Sequence, residues 1–590
     1  MLRTHTCGQL RETDIGKPVI LSGWVNSHRD HGGLLFIDLR DRYGITQICF
    51  KSQPDEKHRT LKNEDVIQIT GEVVGRGKHV NPKLKTGNIE VVASSWKLLN
   101  SADFLPISPS ETDLSGEDVR YKYRYLDLRR PEMSNRLVFR HQVVACMRNF
   151  LQQRDFIEVE TPILYKSTPE GAREFLVPSR LHSGEFYALP QSPQLFKQLL
   201  MVGGADRYMQ IARCFRDEGS RSDRQLEFTQ LDLELSFIEC EDVISLISDL
   251  LSELWKKFLN CEVTFPRLTY QEAIDKYGID RPDLRYGLEI QDITDLLQEM
   301  SAEGSLIKSL LTDSNRVKAL IVPDVLSRKE IDAITETVKQ LGGKGLFWAK
   351  KSEISEFSGS LIKFTGNDSD ESFKEDFDWT SLDRLLSHEE TLLLLIDQPK
   401  LACKIMGEVR QQLAKQLALI PPNVYKFVWI TDFPSFEYDA EAKRYVATHH
   451  PFTAPNIDPL LLNKVLETDP TSLKAQAYDI VLNGFELGGG SIRIHNTETQ
   501  KTVFKFLGIS EEDAEKKFGF LLEALKSGAP PHGGIALGVD RLLMLMTGST
   551  SIKDVIAFPK VQSGRDLMTG APSTVLQDQL DDVHIKVSKS

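Results

Sequence analysis

Cysteine is sparse in this chain. Seven occur in 590 residues, at positions 7, 49, 146, 214, 240, 261 and 403, with no CxxC pair. That scatter argues against a zinc ribbon or a disulfide framework and fits a reducing compartment, so a cytoplasmic protein is expected. No run of about 18 apolar residues is present, which excludes a membrane-spanning helix. The first residues, MLRTHTCGQLRETD, lack the apolar stretch and cleavage pattern of an export signal. The phosphate loop GxxxxGK followed by Ser or Thr is missing, which argues against a P-loop ATPase, and no HExxH accompanies the histidines. Internal repeats and low-complexity tracts are missing too. Positive charge is in deficit, with 72 Lys and Arg against 85 Asp and Glu and a net charge of −13. The deficit is uneven, however. Residues 1–100 carry 15 basic and 11 acidic side chains with five histidines, whereas residues 301–400 carry 13 and 18. The positive part comes first, where a polyanion would meet it.

Length suggests three or four domains. Five short strand-like runs, at 18–25, 34–40, 45–50, 66–74 and 89–94, with a polar helical piece at 55–63 between the third and fourth, predict a small OB barrel. Phe36, with Arg29, His31, Arg40 and Gln47 nearby, could stack and hydrogen-bond splayed bases; alternation alone also allows Phe36 to be core. Residues 101–127, rich in Pro, Ser, Asp and Tyr, read as a hinge. After Pro131, Leu137, Phe139, Val143, Met147, Phe150 and Leu151 recur at helical spacing. Their apolar face suits either the core or a subunit interface, and the helix leads into a strand at 156–161 that stops at Pro162. Residues 290–400 read as a separate α/β insertion, with helices at 292–300 and 329–341, strands at 319–322 and 392–395, and turns at 342–345 and 365–370. The last 30 residues read as a tail with little core of its own.

Chemistry concentrates in three stretches. In residues 208–237, YMQIARCFRDEGSRSDRQLEFTQLDLELSF, two alternating apolar runs flank a charged loop, 216–225. This predicts an antiparallel pair with a polar tip, readable as a solvated hairpin or as an anion clamp whose arginines are held by carboxylates. In residues 478–495, Asn483–Gly484 between apolar runs signals a type I′ hairpin that pairs Leu482 with Phe485 and Val481 with Glu486. Asp479 then shares a face with Glu486 at a diagonal of about 7–8 Å, a spacing that could hold a divalent cation through oxygen ligands. Gly488, Gly489 and Gly490 remove side chains where a ligand could approach the sheet. In residues 532–548, HGGIALGVDRLLMLMTG, a glycine-rich turn is expected to precede an apolar helix. Arg541 there is expected to be a buried cation in need of a partner: Asp540, another carboxylate or a phosphate. Residues 166–174 suggest a mobile charged loop, Gln194 and Lys197 lie together at a helix start, and His449 and His450 read as hydrogen-bond donors rather than metal ligands.

Together these stretches resemble a class II aminoacyl-tRNA synthetase. The helix–strand ending at Pro162 is similar to motif 1, CFRDE through QLEFTQLDLE to motif 2, and GIALGVDRLLML to motif 3. The N-terminal barrel indicates the subclass handling aspartate, asparagine and lysine. Within it, QSPQLFKQ, ATHHPFT and GFELGGGSIRIH resemble the aspartate members, and the insertion resembles that of bacterial ones. The resemblance implies an α+β multidomain fold. It comprises an OB-fold anticodon-binding domain (1–106), a hinge (107–127), an antiparallel-sheet catalytic domain (128–286 and 421–560), an α/β insertion domain (287–420) and a C-terminal extension (561–590). It implies formation of aspartyl-adenylate from L-aspartate and ATP with Mg²⁺, then transfer to tRNA(Asp), with tRNA(Asn) left open, by a homodimer. Arg216, Arg541 and Glu486 would be catalytic. Glu170, Gln194, Lys197, Arg216, Asp232, His449 and Arg493 would bind aspartate, Lys197 and Arg493 taking its side-chain carboxylate. Arg216, Asp217, Glu218, Gln225, Phe228, Glu486, Gly538, Val539, Asp540 and Arg541 would bind ATP. Asp479 and Glu486 would hold the metal, and Arg29, His31, Phe36 and Gln47 would read the anticodon. A sister enzyme for asparagine or lysine, or an inactive tRNA-binding paralogue, are the alternatives.

Overall fold

The computed structural model describes residues 1–31, 34–50, 61–110, 115–168, 171–301, 306–351, 357–361 and 379–588. Most of the helical piece expected at 55–63, and the turn expected at 365–370, lie outside them. The chain divides into two compact units. One comprises Met1–Val144, Glu218–Leu226 and Ser549–Ser590; the other comprises Ala145–Asp217 and Glu227–Gly548.

In the first unit, β1 (Pro18–His31), β2 (Leu34–Asp41), β3 (Gly44–Phe50), β4 (Val66–Gly75) and β5 (Ile89–Asn100) close a barrel in the order β1-β2-β3-β5-β4. Only β3 and β5 pair in parallel. Closure pairs every strand on both sides, so no edge is left to aggregate. Alternation sends Leu35, Ile37 and Leu39 of β2 into a core shared with Leu21, Ile48, Ile67 and Val91. β1 runs six residues past the apolar pattern. A register shift between Val25 and Ser27 absorbs the polar sequence while the backbone keeps pairing with β2. Arg40, expected beside the bases, is instead buried. Its Nη2 donates to both Glu64 carboxylate oxygens at 2.8 and 2.7 Å, and Arg129 donates to the same carboxylate at 3.0 Å. Arg129 also lies over the Trp24 ring at 5.0 Å. The stretch expected as a hinge contains two short helices, Glu117–Lys122 and Arg124–Asp127. The C-terminal stretch expected to have little core has no buried residue over its described part, 561–588.

The division between the units falls inside α1 (Pro131–Gln152). The second unit is built on an eight-stranded sheet. Its strands are β6 (Ile157–Glu158), β7 (Arg207–Phe215), β8 (Glu227–Ser236), β9 (Arg267–Thr269), β10 (Phe427–Thr431), β11 (Ala477–Leu482), β12 (Phe485–Ile492) and β13 (His532–Gly538), in the order β9-β10-β11-β12-β13-β8-β7-β6. All neighbours are antiparallel except the two outermost pairs. Two expectations change here. The strand expected at 156–161 shrinks to two residues, and the glycine-rich stretch 532–538, expected as a turn, is a full strand between β12 and β8. Glycine is tolerated in that strand because its neighbours need the space. A Cβ at Gly534 would sit 2.1 Å from the Leu233 carbonyl oxygen and 2.2 Å from a Glu234 carboxylate oxygen.

The insertion forms its own five-stranded antiparallel sheet in the order Gln291–Asp292, Arg316–Val322, Thr391–Asp397, Phe347–Lys351 and Phe357–Gly359. Apolar clusters cover both faces, as the unbroken run Thr391–Ile396 requires. Arg410, from the helix Pro399–Gln416, donates to the carbonyls of Asp283, Tyr286, Gly287 and Leu288. It therefore fastens the chain where it enters the insertion. No helix among the described residues is long and apolar enough to cross a membrane.

The Arg40–Glu64–Arg129 cluster generates a test. Glu64→Gln leaves a buried guanidinium without its carboxylate, which costs about 3–5 kcal/mol where the charge cannot rehydrate. A lowered urea midpoint for the barrel, read by Trp24 fluorescence, is the expected result.

Candidate active site

The helix α2 (Gln194–Val202) carries Lys197 to the middle of the sheet. Asp232 and Glu234 project from the same face of β8, because residues two apart in a strand share a side. The three side chains and Arg493, which follows β12, are all at most 2 % exposed. Lys197 Nζ lies 3.1 Å from Asp232 Oδ1 and 3.3 Å from Glu234 Oε2. Arg493 makes a fork-shaped pair with Glu234, Nε to Oε1 at 2.9 Å and Nη2 to Oε2 at 3.2 Å. Its Nη1 donates to Ser491 Oγ at 2.8 Å and to His450 Nε2 at 2.6 Å. Burial would push the Glu234 carboxyl up, but Arg493 and Lys197 outweigh it and hold the group below its usual range. Burial wins at Asp232, whose carboxyl is raised despite Lys197, and whose Oδ2 has no hydrogen-bond partner. The cluster is formally neutral when both carboxylates are charged.

A second cluster forms at the hairpin of β11 and β12. Asn483 and Gly484 both have positive φ, 53° and 84°, as a type I′ turn requires. Leu482 pairs with Phe485 and Val481 with Glu486, as the sequence predicts. The register then slips by one residue, so Asp479 faces Gly489. A Cβ at Gly489 would lie 2.3 Å from Asp479 Oδ1; glycine here makes room for the carboxylate. Gly488 and Gly490 answer a different need from the one expected, close packing against the backbone of β13. Burial pushes the Asp479 carboxyl well above its usual range, with repulsion from Glu486 and Asp280 adding to it, and its Oδ1 has no hydrogen-bond partner. Glu486 is exposed. His449 Nδ1 lies 4.0 Å from that oxygen, but burial, then Arg493, lowers the imidazole to about 4, so it is neutral at pH 7. Arg216 follows β7 with its guanidinium 5.2 Å from the Phe228 ring centre and its Nε buried without a partner. Arg541, expected to be fully buried, is half-buried and donates to the backbone carbonyl of Glu486. Arg216, Arg541, Asp479, Glu486 and Phe228 belong to the same unit as the Lys197–Arg493 cluster.

Two family models match the chain: "tRNA synthetases class II (D, K and N)" over residues 116–562 and "OB-fold nucleic acid binding domain" over residues 19–99. The chain belongs to the class II tRNA synthetases of the D, K and N group. It is 50% identical over 603 residues to the "Aspartate--tRNA(Asp/Asn) ligase" of Caldanaerobacter subterraneus subsp. tengcongensis, covering 99% of this chain and 98% of that one. The protein of the same name from Natranaerobius thermophilus is 49% identical, with both chains covered completely. The fold is similar to the asparaginyl-tRNA synthetase of Pyrococcus horikoshii complexed with asparaginyl-adenylate. The TM-score is 0.57 at 19% identity, over 95% of this chain and 98% of that chain. It is also similar to a putative aspartyl-tRNA synthetase from Leishmania major Friedlin, with TM-score 0.58 at 17% identity over 94% of each chain.

The other expected site residues of this synthetase are spread over both units. Gln194 is buried with its amide donating to Gln198, and Asp217 is exposed, its N–H bonded to the Arg173 carbonyl. Asp540 and Val539 are buried, and Asp540 accepts the Thr229 N–H at 2.8 Å, tying α3 (Val539–Met546) to β8; Gly538 is the N-cap of this helix. Glu218 and Gln225 belong to the first unit, Glu218 pairing with Arg224 at 2.6 Å and Gln225 with the Lys560 backbone. On the barrel, Arg29 lies directly opposite Phe36 in the β1–β2 register and bonds Asp38 and Gln47, so Arg29, Phe36 and Gln47 share the outer face. Glu170 and the side chain of His31 lie outside the described residues. Sequence reasoning missed Glu234, Gln198 and His532, the last two 3.3 Å apart through Nε2 atoms. Glu234 had left a signal: it and Asp232 are carboxylates at alternate positions in the otherwise apolar run LDLELSF.

The raised Asp479 carboxyl sets the sign of a pH effect. Its protonated form suits the folded state, so stability is full below its unfolded value and is lost as pH rises through the folded one. Asp479→Asn therefore raises Tm above wild type at pH 7 in magnesium-free buffer, by an amount that shrinks toward pH 4, as differential scanning calorimetry will show.

Proposed function

We propose that this chain activates L-aspartate with ATP and transfers it to tRNA. The observation that carries the reading is the buried pair Lys197 and Arg493, each already held by carboxylates. Two fixed cations suit a ligand with a side-chain carboxylate. They repel the ammonium of lysine and leave the neutral amide of asparagine short of charge to match. Relatives about half identical over the full length carry the name of an aspartate ligase.

In the first step the α-carboxylate of aspartate attacks the α-phosphorus of ATP. The bond to the bridging oxygen breaks, pyrophosphate leaves, and aspartyl-adenylate remains. In the second, a ribose hydroxyl at the 3′ end of tRNA attacks the activated carbonyl and AMP departs. The substrate supplies the nucleophile in each step, so the protein's work is positioning and electrostatics. Arg216 bridges the attacking carboxylate and the α-phosphate, with the adenine on Phe228. Arg541 takes the terminal phosphates. Lys197, Arg493 and Asp232 orient aspartate, with Gln194, neutral His449 and Glu170 around its α-end. The unpartnered, repelled Asp479 carboxylate with Glu486 fits Mg²⁺, which uses one or two carboxylates and completes its shell with phosphate and water. When bound it neutralises phosphate charge.

The outer barrel face of Arg29, Phe36 and Gln47, with His31, reads the anticodon by stacking and hydrogen bonds. Both tRNA(Asp) and tRNA(Asn) are substrates in this reading, which the names of the relatives support. A two-fold dimer through the α1 face completes the assembly, working in the cytoplasm.

ATP–pyrophosphate exchange checks the amino acid. Aspartate stimulates it, whereas asparagine and lysine do not, and Lys197→Met lowers kcat/KM for aspartate by about 10- to 100-fold, the loss of a charge-assisted hydrogen bond. Exchange driven by asparagine or lysine instead would overturn the choice. Charging of purified tRNA(Asp) and tRNA(Asn) is expected at comparable kcat/KM, and a preference above about a hundredfold, equivalent to about 2.7 kcal/mol, would restrict the enzyme to one of them.

A further inference from the structure

Gln194 and Gln198 stand one turn apart on α2, so their side chains meet. Gln194 Nε2 donates to Gln198 Oε1 at 3.1 Å. Gln198 Nε2 lies 3.3 Å from His532 Nε2, and His532 Nδ1 lies 2.8 Å from the carbonyl oxygen of Pro530. Two side chains of α2, one at the start of β13 and the backbone before it therefore form a single line of hydrogen bonds within one unit. Exposure rises along the line, 0 % at His532, 1 % at Gln198 and 8 % at Gln194, so a ligand can reach only its last member.

The line has one consistent direction. A carbonyl oxygen accepts and cannot donate, and Pro531 restricts the backbone of Pro530 that carries it. His532 Nδ1 therefore bears the proton. Burial lowers the imidazole, and Glu234 and the Pro530 carbonyl only partly offset it, so the ring is neutral at pH 7 and its Nε2 is bare. A bare nitrogen accepts, so Gln198 turns its NH2 toward His532 and its oxygen toward Gln194. Gln194 gives its own NH2 to that oxygen and keeps Oε1, to which no described residue donates. Reversing any one member would set two acceptors or two donors against each other among buried side chains.

We propose that His532 and Gln198 are positioning residues, which hold the Gln194 amide so that its oxygen, and not its nitrogen, meets the α-ammonium of the amino acid. The inference rests on the functional reading above, which places Gln194 at the α-end of aspartate, and adds two residues that the reading does not use. The physical reason is that an amide is nearly symmetric in shape. The wrong end would set N–H donors against an ammonium, which has only donors to offer. The Pro530 carbonyl is the one member of the line that has no reversed form, so a backbone group fixes the polarity of a side chain three hydrogen bonds away.

ATP–pyrophosphate exchange in the full-length protein tests this role. Gln198→Met and His532→Phe roughly keep side-chain volume and break the line. Each is expected to raise KM for aspartate about fivefold, the scale of one lost hydrogen bond, with kcat and KM for ATP within about twofold of wild type. Succinate has both carboxylates of aspartate and no amine, so its inhibition constant against aspartate is expected to stay within about twofold in both variants. Equal losses for aspartate and succinate, or for aspartate and ATP, would reduce the two residues to packing, and an unchanged KM for aspartate would overturn the proposal outright. Where succinate binds too weakly to measure, the comparison of aspartate with ATP decides. Nitrogen-15 NMR of labelled histidine reads the direction itself: the signal that His532→Phe removes is expected to show a protonated Nδ1 and a bare Nε2, and the opposite tautomer would overturn the relay. If His532→Phe fails to fold, Gln198→Met decides by the same kinetic comparison. A wild-type protein with no aspartate-dependent exchange would instead strike the functional reading itself.

Discussion

The Glu234–Arg493 ion pair sets the conditions under which the rest of the pocket can exist. A guanidinium almost wholly removed from water is stable only with its charge matched and its donors met, and Glu234, Ser491 and His450 do this. Lys197 then shares Glu234 and draws in Asp232, so Asp232, Lys197, Glu234 and Arg493, from β8, α2 and the end of β12, form one chain of ion pairs. The same group also dictates sequence elsewhere. Gly534 on the neighbouring strand has no side chain because the Glu234 carboxylate occupies the space. Burial and nearby Arg493 keep His449 and His450 neutral, which leaves the imidazoles as hydrogen-bond partners rather than competing cations.

The hairpin β11–β12 follows the opposite logic. Asp479 is partly buried beside Glu486 and Asp280, whose repulsion adds to the cost of its charge in the folded protein. Such uncompensated charge is expected where a ligand brings the balancing charge, and marks a functional carboxylate more firmly than exposure or motif does. Two kinds of carboxylate thus stand in one sheet, Glu234 bonded by Arg493 and Asp479 with an oxygen that no described residue bonds.

Much was legible from the chain alone. Alternation and turn chemistry placed the barrel strands, the strand pair β7–β8 and the Asn483–Gly484 hairpin with its first two register pairs. These features are local, decided by side-chain period and by φ at two residues. The errors share a cause. The stretch 532–538 reads as a turn because glycine is usually punctuation, yet here it answers to neighbours far away in sequence. Arg40 reads as a base-contacting cation until Glu64 and Arg129 arrive to bury it. Arg541 reads as buried because its helix is apolar, but its side chain reaches the Glu486 carbonyl at the helix start.

By itself, then, the sequence determined the class of fold and the kinds of group available: an N-terminal barrel, an antiparallel catalytic sheet, an insertion of helices and strands, and arginines and carboxylates in the motifs of a class II synthetase. Only the tertiary structure decided how those charges are spent. It joined Glu234 to Arg493 across 259 residues and Gln225 to Lys560 across 335. It also inserted the bulge that turned Asp479 toward Gly489. Charge type is a property of a residue, whereas burial, partner and register are properties of a packed environment that no local stretch contains.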